Sequence, residues 1–346
     1  MAKKVTLSDV ASAAGVSIAT ASRALGSAGR ISAETRQRVL ATAERLDFQP
    51  DALAKSFVTG KSATVGVLAE QAIGLYSMPV LIGAIERLSE HGIATLMYDA
   101  RATSHELLAH LRQLRARRVD GLLIVGDTPD LTSLADALDF PAPMVFADVE
   151  PSGRNSSVVI APDGHHAGLL AGRHLIGLGR RRIAHLTASA AGPAVQRRAA
   201  GMLEALAEHE LPLVLGAPLH GTYSRSWGVV AAEQLLASGE PFDAIFAGDD
   251  EIAIGAYTAL SRAGLRIPDD VAIVGYDNQH RPVHHDGIWL TSIEPRLHTV
   301  GSRAAEALLA SIAGEQPPAV ELVPGELVVG RSTIGPTLGA YEQIAP

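Results

Sequence analysis

Between residues 17 and 23 the chain gathers Ser17, Thr20, Ser22 and Arg23, three hydroxyls and a guanidinium within two helical turns. A guanidinium makes paired hydrogen bonds to the O6 and N7 edge of guanine, worth ~1–3 kcal/mol of base discrimination. Hydroxyls mostly hold phosphate oxygens, which fixes register and not sequence. The combination is the chemistry of reading duplex DNA.

The elements around this stretch must hold it outward. Thr6-Leu7-Ser8-Asp9 opens a helix, with the Thr6 hydroxyl capping backbone N–H groups and Asp9 reaching back from the third helical position. Leu7, Val10, Ala11 and Ala14 then line one face, and Gly15 breaks the helix where a positive φ is needed. Ser17 caps a second helix over 18–25, whose Ala21, Ala24 and Leu25 face inward while Ile18, Ala19, Ser22 and Arg23 face outward. A third helix starts at the Ser32 cap, buries Thr35, Val39, Thr42, Ala43 and Leu46, and ends at Asp47-Phe48-Gln49-Pro50. The spacing predicts a helix-turn-helix head whose second helix enters a major groove. Residues 52–58 predict one more short helix, with too little apolar stripe to be stable alone.

Charge is distributed unevenly. The net charge of the 346-residue chain is −8, yet residues 1–61 carry nine basic side chains against five acidic ones, and all four lysines lie there. A basic head on an acidic body is expected when only the head meets phosphate. The chain has no cysteine, which excludes disulfides, thiol catalysis and cysteine-based zinc sites and fits a reducing cytoplasm. No apolar run reaches the ~20 residues of a membrane span, and no apolar stretch follows the two N-terminal lysines as in a secretory signal.

From residue 64 the pattern changes to strand-then-helix units. Nearly continuous apolar runs at 64–69, 93–98, 121–125, 144–148, 182–188, 244–247 and 271–276 predict parallel strands covered on both faces, with a last strand at 326–330. Helices are expected between them, at 80–91, 104–117, 165–178, 194–209, 228–237, 251–263 and 296–313. The expected fold is a small all-α head joined by a hinge helix to an α/β body of two open parallel-sheet halves. Ligands of such sheets bind at the carboxyl ends of the strands, here in the cleft between halves.

The head, Val5-Thr6-Leu7-Ser8-Asp9-Val10-Ala11 through Gly15-Val16-Ser17 and Thr20-Ala21-Ser22-Arg23, resembles that of the lactose/galactose repressor (LacI) family of bacterial transcription factors. Ser32-Ala33-Glu34-Thr35-Arg36, Pro50-Asp51-Ala52-Leu53-Ala54, Val65-Gly66-Val67, Phe246-Ala247-Gly248-Asp249-Asp250-Glu251 and Gly275-Tyr276-Asp277 extend the resemblance over essentially the full length. It implies a homodimer on a palindromic double-stranded operator, a repressor's role in transcription, and a periplasmic-binding-protein-like body that takes a small-molecule effector, a sugar or sugar derivative. It implies a helix-turn-helix domain at 1–49 and a hinge helix and linker at 50–61. The body's N-subdomain would comprise 62–161 and 291–324, and its C-subdomain 162–290 and 325–346. Thr6, Ser17, Ile18, Ala19, Thr20, Ser22, Arg23 and Arg30 would contact DNA from the head, and Ala54, Lys55 and Phe57 from the hinge, with Phe57 as the apolar wedge in the minor groove.

By the same resemblance Tyr76, Asp148, Arg198, Tyr223, Asp249 and Asp277 line the effector cleft. Their chemistry suits a sugar: carboxylates accept from hydroxyls, the guanidinium donates in a fork, and an aromatic face stacks on a pyranose. The chain departs from the family in two places, with Asp249 where asparagine is common and Gly74-Leu75-Tyr76-Ser77 in place of Asn-Pro-Phe-Phe.

His280, His284, His285 and Asp286 cluster in a loop, but loop histidines in a chain with 13 of them are ordinarily solvated, and no metal or cofactor is expected. There is no phosphate-cradling loop, nucleophile elbow or metalloprotease motif, so no enzyme is expected. Two other classes stay open on the body alone: a solute-binding protein without a DNA role, and an α/β hydrolase of sugars or nucleosides.

Overall fold

The fold is given by a computed structural model, which describes residues 5–26, 31–48, 60–69, 74–100, 104–126, 140–147, 158–279 and 289–335. Two compact units divide the chain, residues 1–64 with 118–120, and the remainder.

In the first unit α1 (Leu7–Ala14) begins with a full capping box. The backbone N–H of Asp9 donates to the Thr6 hydroxyl at 3.3 Å, and the Thr6 N–H donates to the Asp9 carboxylate at 2.8 Å. Gly15 closes the helix in the left-handed conformation, φ 67°, as the turn requires. Ser17 caps α2 (Ile18–Leu25) and Ser32 caps α3 (Ala33–Arg45), each accepting from the N–H three residues on. Val10, Ala11, Ala14, Ala21, Ala24, Val39 and Ala43 form the core, with Leu7, Leu25, Leu46 and Phe48 packed at its edge. Five alanines in so small a core let the helix axes come close, and those of α2 leave its outer face to solvent. Downstream, the Asp120 carboxylate accepts from the backbone N–H groups of Ser62 and Ala63, both at 2.8 Å, and so fixes where the linker ends.

The second unit holds two six-stranded sheets. The first contains β1 (Thr64–Ala69), β2 (Ala94–Asp99), β3 (Gly121–Val125), β4 (Met144–Ala147), β5 (Val158–Pro162) and β11 (Val320–Val323), in the order β11-β5-β4-β3-β1-β2. The second contains β6 (Ile183–Ala188), β7 (Leu219–Gly221), β8 (Ala244–Ala247), β9 (Ala272–Tyr276), β10 (Thr291–Glu294) and β12 (Glu326–Val328), in the order β12-β10-β9-β8-β6-β7. Its pairs are parallel except for β10 with β12.

Helices cover both faces, which explains why the central strands are apolar throughout. On the first sheet α4 (Ser77–Glu90) and α10 (Leu297–Ile312) set Val80, Leu88, Val300 and Leu308 on Val67, Leu123, Val145 and Ile160. Leu111 and Leu114 of α5 (Ser104–Ala116) are buried as well. On the second sheet α6 (Gly164–Gly177) and α7 (Pro193–Ala207) cover Ile183, Phe246 and Val274. The opposite face lies under α8 (Arg225–Ala237) and α9 (Asp250–Arg262), through Ala231, Leu235, Ile252 and Leu260. Each fully buried aliphatic side chain contributes ~1.5–3 kcal/mol.

Three helix pairs cross through matched glycines. A Cβ at Gly83 of α4 would run into the His298 carbonyl of α10, and one at Gly301 into that of Val80. Gly168 and Gly201 stand in the same relation between α6 and α7, against the Arg198 and His165 carbonyls. Gly228 and Gly255 do so between α8 and α9. These crossings place backbone against backbone, which any side chain would prevent.

Several elements depart from the sequence expectation. β5, β7, β10 and β11 and the last helix, α11 (Arg331–Ile334), carry no predicted counterpart. They are three to five residues long and owe their form to neighbours far away in sequence, such as Val320 opposite Val159. α4 begins three residues earlier than expected and α8 begins at Arg225, where the Ser224 hydroxyl accepts from the Trp227 N–H. The return to the first sheet, expected at 291, comes after Glu294, because Thr291, Ser292 and Ile293 pair with β9. Among the described residues no helix is long and apolar enough to cross a membrane.

Candidate DNA-reading face and ligand cleft

The buried and exposed sides of α2 separate as its sequence requires. Ala21 and Ala24 lie in the core, while Ile18, Ala19, Ser22 and Arg23 are exposed, Ile18 to 54%. The Ser17 hydroxyl accepts from the Thr20 N–H at 3.1 Å and lies 2.9 Å from the Thr20 hydroxyl. Arg23 turns its Nε back onto the Ala19 carbonyl at 3.1 Å, which aligns the guanidinium along the exposed face. Thr6 spends its hydroxyl on Asp9 at 2.7 Å. Arg30, Ala54, Lys55 and Phe57 lie outside the described residues.

A second cluster forms in the other unit, where strand ends of the two sheets meet. Tyr76, just before α4 on the first sheet's side, donates its hydroxyl to Oδ2 of Asp277 at 2.5 Å. Asp277 follows β9 of the second sheet with φ 105°, and Asn278 with φ 50° continues the sharp turn. Asn278 donates through Nδ2 to Glu294 at 3.1 Å, and Glu294 accepts from the Arg296 N–H at 3.2 Å, where the chain crosses between sheets.

Arg198, buried on α7, donates through Nη2 to the Tyr223 hydroxyl at 2.5 Å and lies 4.4 Å above the Tyr276 ring. Burial opposes its charge, but Tyr223, Tyr276, Asp277 and Tyr76 outweigh that and hold its proton on. Asp249 follows β8 and caps α9, accepting from the Ile252 N–H at 2.7 Å. Burial pushes its carboxyl up to about 6. Burial also raises Asp277 well above the carboxylate range, although the Tyr76 hydrogen bond and Arg198 act the other way. The Tyr76 phenol is raised by burial and by Asp277, so its proton stays in place.

The structure therefore brings Tyr76, Arg198, Tyr223, Asp249 and Asp277 into one neighbourhood, while Asp148 lies outside the described residues. Three further residues lie beside it. Tyr276 supports Arg198, and its place beside Asp277 in the sequence was the available signal. His185 stacks on Phe246 at 4.7 Å and makes a 2.9 Å hydrogen bond from Nδ1 to the Phe246 carbonyl. Burial lowers its pKa to about 4, so the ring is neutral. Thr187 accepts from the Trp227 indole N–H through its carbonyl at 3.0 Å. An isolated histidine or threonine inside a strand gives no signal of this placement.

The cluster offers carboxylate acceptors, one guanidinium and tyrosine rings, a set that binds a small polar molecule. Among the described residues no group of three histidine, aspartate or glutamate side chains is placed to hold a metal. His280, His284, His285 and Asp286 lie outside them.

Residues 6–51 match the family model described as bacterial regulatory proteins, lacI family, and residues 173–333 the periplasmic binding protein-like domain. The chain is 30% identical over 324 residues to the HTH-type transcriptional repressor PurR of Erwinia tasmaniensis, covering 92% of this chain and 94% of that one. Its structure is similar to that of a lac repressor dimer bound to operator and the anti-inducer ONPF, at TM-score 0.74 and 26% identity, over 96% of this chain and 99% of that one. It is also similar to the transcriptional regulator CelR in complex with cellobiose, at TM-score 0.67 and 26% identity, over 95% and 99%.

Proposed function

This chain belongs to the LacI family of bacterial regulatory proteins and is a DNA-binding transcriptional regulator, and from that premise we propose that it acts as a homodimeric repressor in the cytoplasm. Each head reads one half of a palindromic operator, and a carbohydrate-class effector in the cleft of the second unit sets operator affinity. The chain carries out no catalysis of its own.

The observation that carries the reading is the outer face of α2, where Ile18, Ala19, Ser22 and Arg23 are exposed above buried alanines. Arg23 supplies the base contact, and Ser17, Thr20 and Ser22 hold phosphates. Dimerisation is supported by Met78, Ile82 and Ile85, which form an exposed apolar stripe on α4, and by Met97, exposed to 52% on the edge strand β2. Effector control is supported by relatives of the same fold, one in complex with cellobiose and one with an anti-inducer. Since effector and operator share one equilibrium, each changes the other's affinity by the same factor.

Selection of a preferred duplex from random sequence by the full-length protein, followed by gel shifts of wild type and Arg23→Ala, tests the head. The substitution is expected to cost ~1–3 kcal/mol at one base position in each half-site and to leave salt-dependent nonspecific binding in place. Unchanged sequence preference would remove Arg23 from the reading role.

A further inference from the structure

The ligand class of the cleft follows from an imbalance between its charges, on the reading that the cleft is the effector site. The β8–β9 register pairs Phe246 with Val274. Asp249 and Asp277 follow the ends of these neighbouring parallel strands, and the charge of Asp249 is felt at Asp277. Asp250 lies beside them but is already engaged, accepting from the Ser292 hydroxyl at 2.6 Å and from the Gln279 N–H at 2.9 Å.

Asp249 and Asp277 keep capacity to spare. Asp249 uses Oδ1 on the α9 cap, and Oδ2 has no protein partner among the described residues. Asp277 uses Oδ2 on the Tyr76 hydroxyl, and its Oδ1 is buried without a partner. The cation that both carboxylates sense is Arg198. Arg198 is committed already, with Nη2 on Tyr223 and its face on Tyr276, and it too leaves a buried nitrogen, Nε, without a partner. Two carboxylates thus face one guanidinium that tyrosines hold in place. Tyr76 reaching Asp277 from the other sheet establishes that this carboxylate opens toward the space between the sheets and takes an O–H donor there.

We propose that the effector is a polyhydroxyl molecule carrying a basic nitrogen, with that nitrogen between Asp249 and Asp277, and that the cleft rejects phosphorylated ligands. An ammonium offers three donors and one positive charge, which meets the spare oxygens and favours ionisation of both carboxyls. The Tyr76 hydroxyl bounds the same space. A phosphate would add negative charge beside two buried carboxyls, and among the described residues the guanidinium that both of them sense is already committed to Tyr223 and Tyr276.

The test is calorimetric titration of the full-length protein with hexose, 2-amino-hexose, N-acetyl-hexosamine and hexose 6-phosphate, each in gluco, galacto and manno configurations. One hexosamine is expected to bind at least tenfold more tightly than its parent hexose and its N-acetyl derivative, with no binding of the phosphates. Asp249→Asn keeps a side-chain oxygen for the α9 cap while removing the charge, and it is expected to bring the hexosamine and hexose within threefold of each other. A neutral hexose that binds as tightly as its amine, or any phosphate that binds, overturns the proposal and leaves the carbohydrate reading standing. Absence of binding by every compound overturns that reading and the proposal with it. The wild-type comparison decides the matter alone if the variant does not fold.

Discussion

Tyr76 and Asp277, 201 residues apart and on opposite sheets, share a 2.5 Å hydrogen bond that ties the two halves of the ligand-binding unit together. Asp277 also sits two hydrogen bonds from the crossover, through Asn278 and Glu294 to Arg296. Three consecutive features of that path, Asp277, Asn278 and Arg296, hold positive φ without being glycine. The bond therefore holds the two halves closed beside the crossover between the sheets, at a stretch of left-handed backbone.

Removing the phenol hydroxyl is expected to loosen this closure. A hydrogen bond between neutral groups contributes ~0.5–1.5 kcal/mol, so Tyr76→Phe shifts the balance toward the open form by roughly two- to tenfold. Small-angle X-ray scattering of ligand-free full-length protein should show a larger radius of gyration for the variant. Superimposable profiles would mean the bond does not hold the halves together.

Arg198 is held by geometry that lysine does not reproduce, a directed Nη2 hydrogen bond to Tyr223 and a flat face on Tyr276. Arg198→Lys is expected to abolish the operator's response to effector while leaving ligand-free operator affinity within a few-fold of wild type. Fluorescence anisotropy of labelled operator, with and without the ligand found by titration, measures both. An intact response would show that Arg198 is structural only.

The glycine crossings set the position of α7, and with it Arg198. Gly168→Ala drives a methyl into the Arg198 backbone carbonyl, so a loss of ~1–3 kcal/mol and a weakened effector response are expected together. Gly177→Ala, at the exposed end of the same helix with open space around it, should instead be neutral or stabilising by up to ~1 kcal/mol. Chemical denaturation of the two variants separates the cases, and equal effects would contradict the crossing argument.

Asp249 gives a pH dependence of definite sign. Its folded-state pKa is about 6 against an ordinary value of 3.8, so the native state binds the proton more tightly than the unfolded chain does. Its stabilising contribution is complete below about pH 4 and declines as the pH rises through 6. Asp249→Asn cannot ionise and keeps the cap, so relative to wild type it should gain ~2–3 kcal/mol between pH 4 and 7. Thermal melts of both proteins across that range check this, and a constant difference in stability would refute the burial of the charge.

The amino-acid sequence alone determined the head in full outline, because everything there is local. Thr6 with Asp9, Ser17 and Ser32 are caps acting within three residues, Gly15 supplies its own φ, and the inward alanines of α2 repeat at helical spacing. The long central strands were legible for a related reason: burial on both faces makes each an unbroken apolar run. The family resemblance pointed to the cleft residues one at a time. Only the tertiary structure decided that Tyr76 meets Asp277, that Arg198 rests on Tyr276, and that Asp249 and Asp277 follow neighbouring strands of one sheet. Those relations depend on sheet register and on helices crossing at glycines, and neither a hydrogen bond across 201 residues nor the charge balance of a pocket has a period in the chain that could announce it.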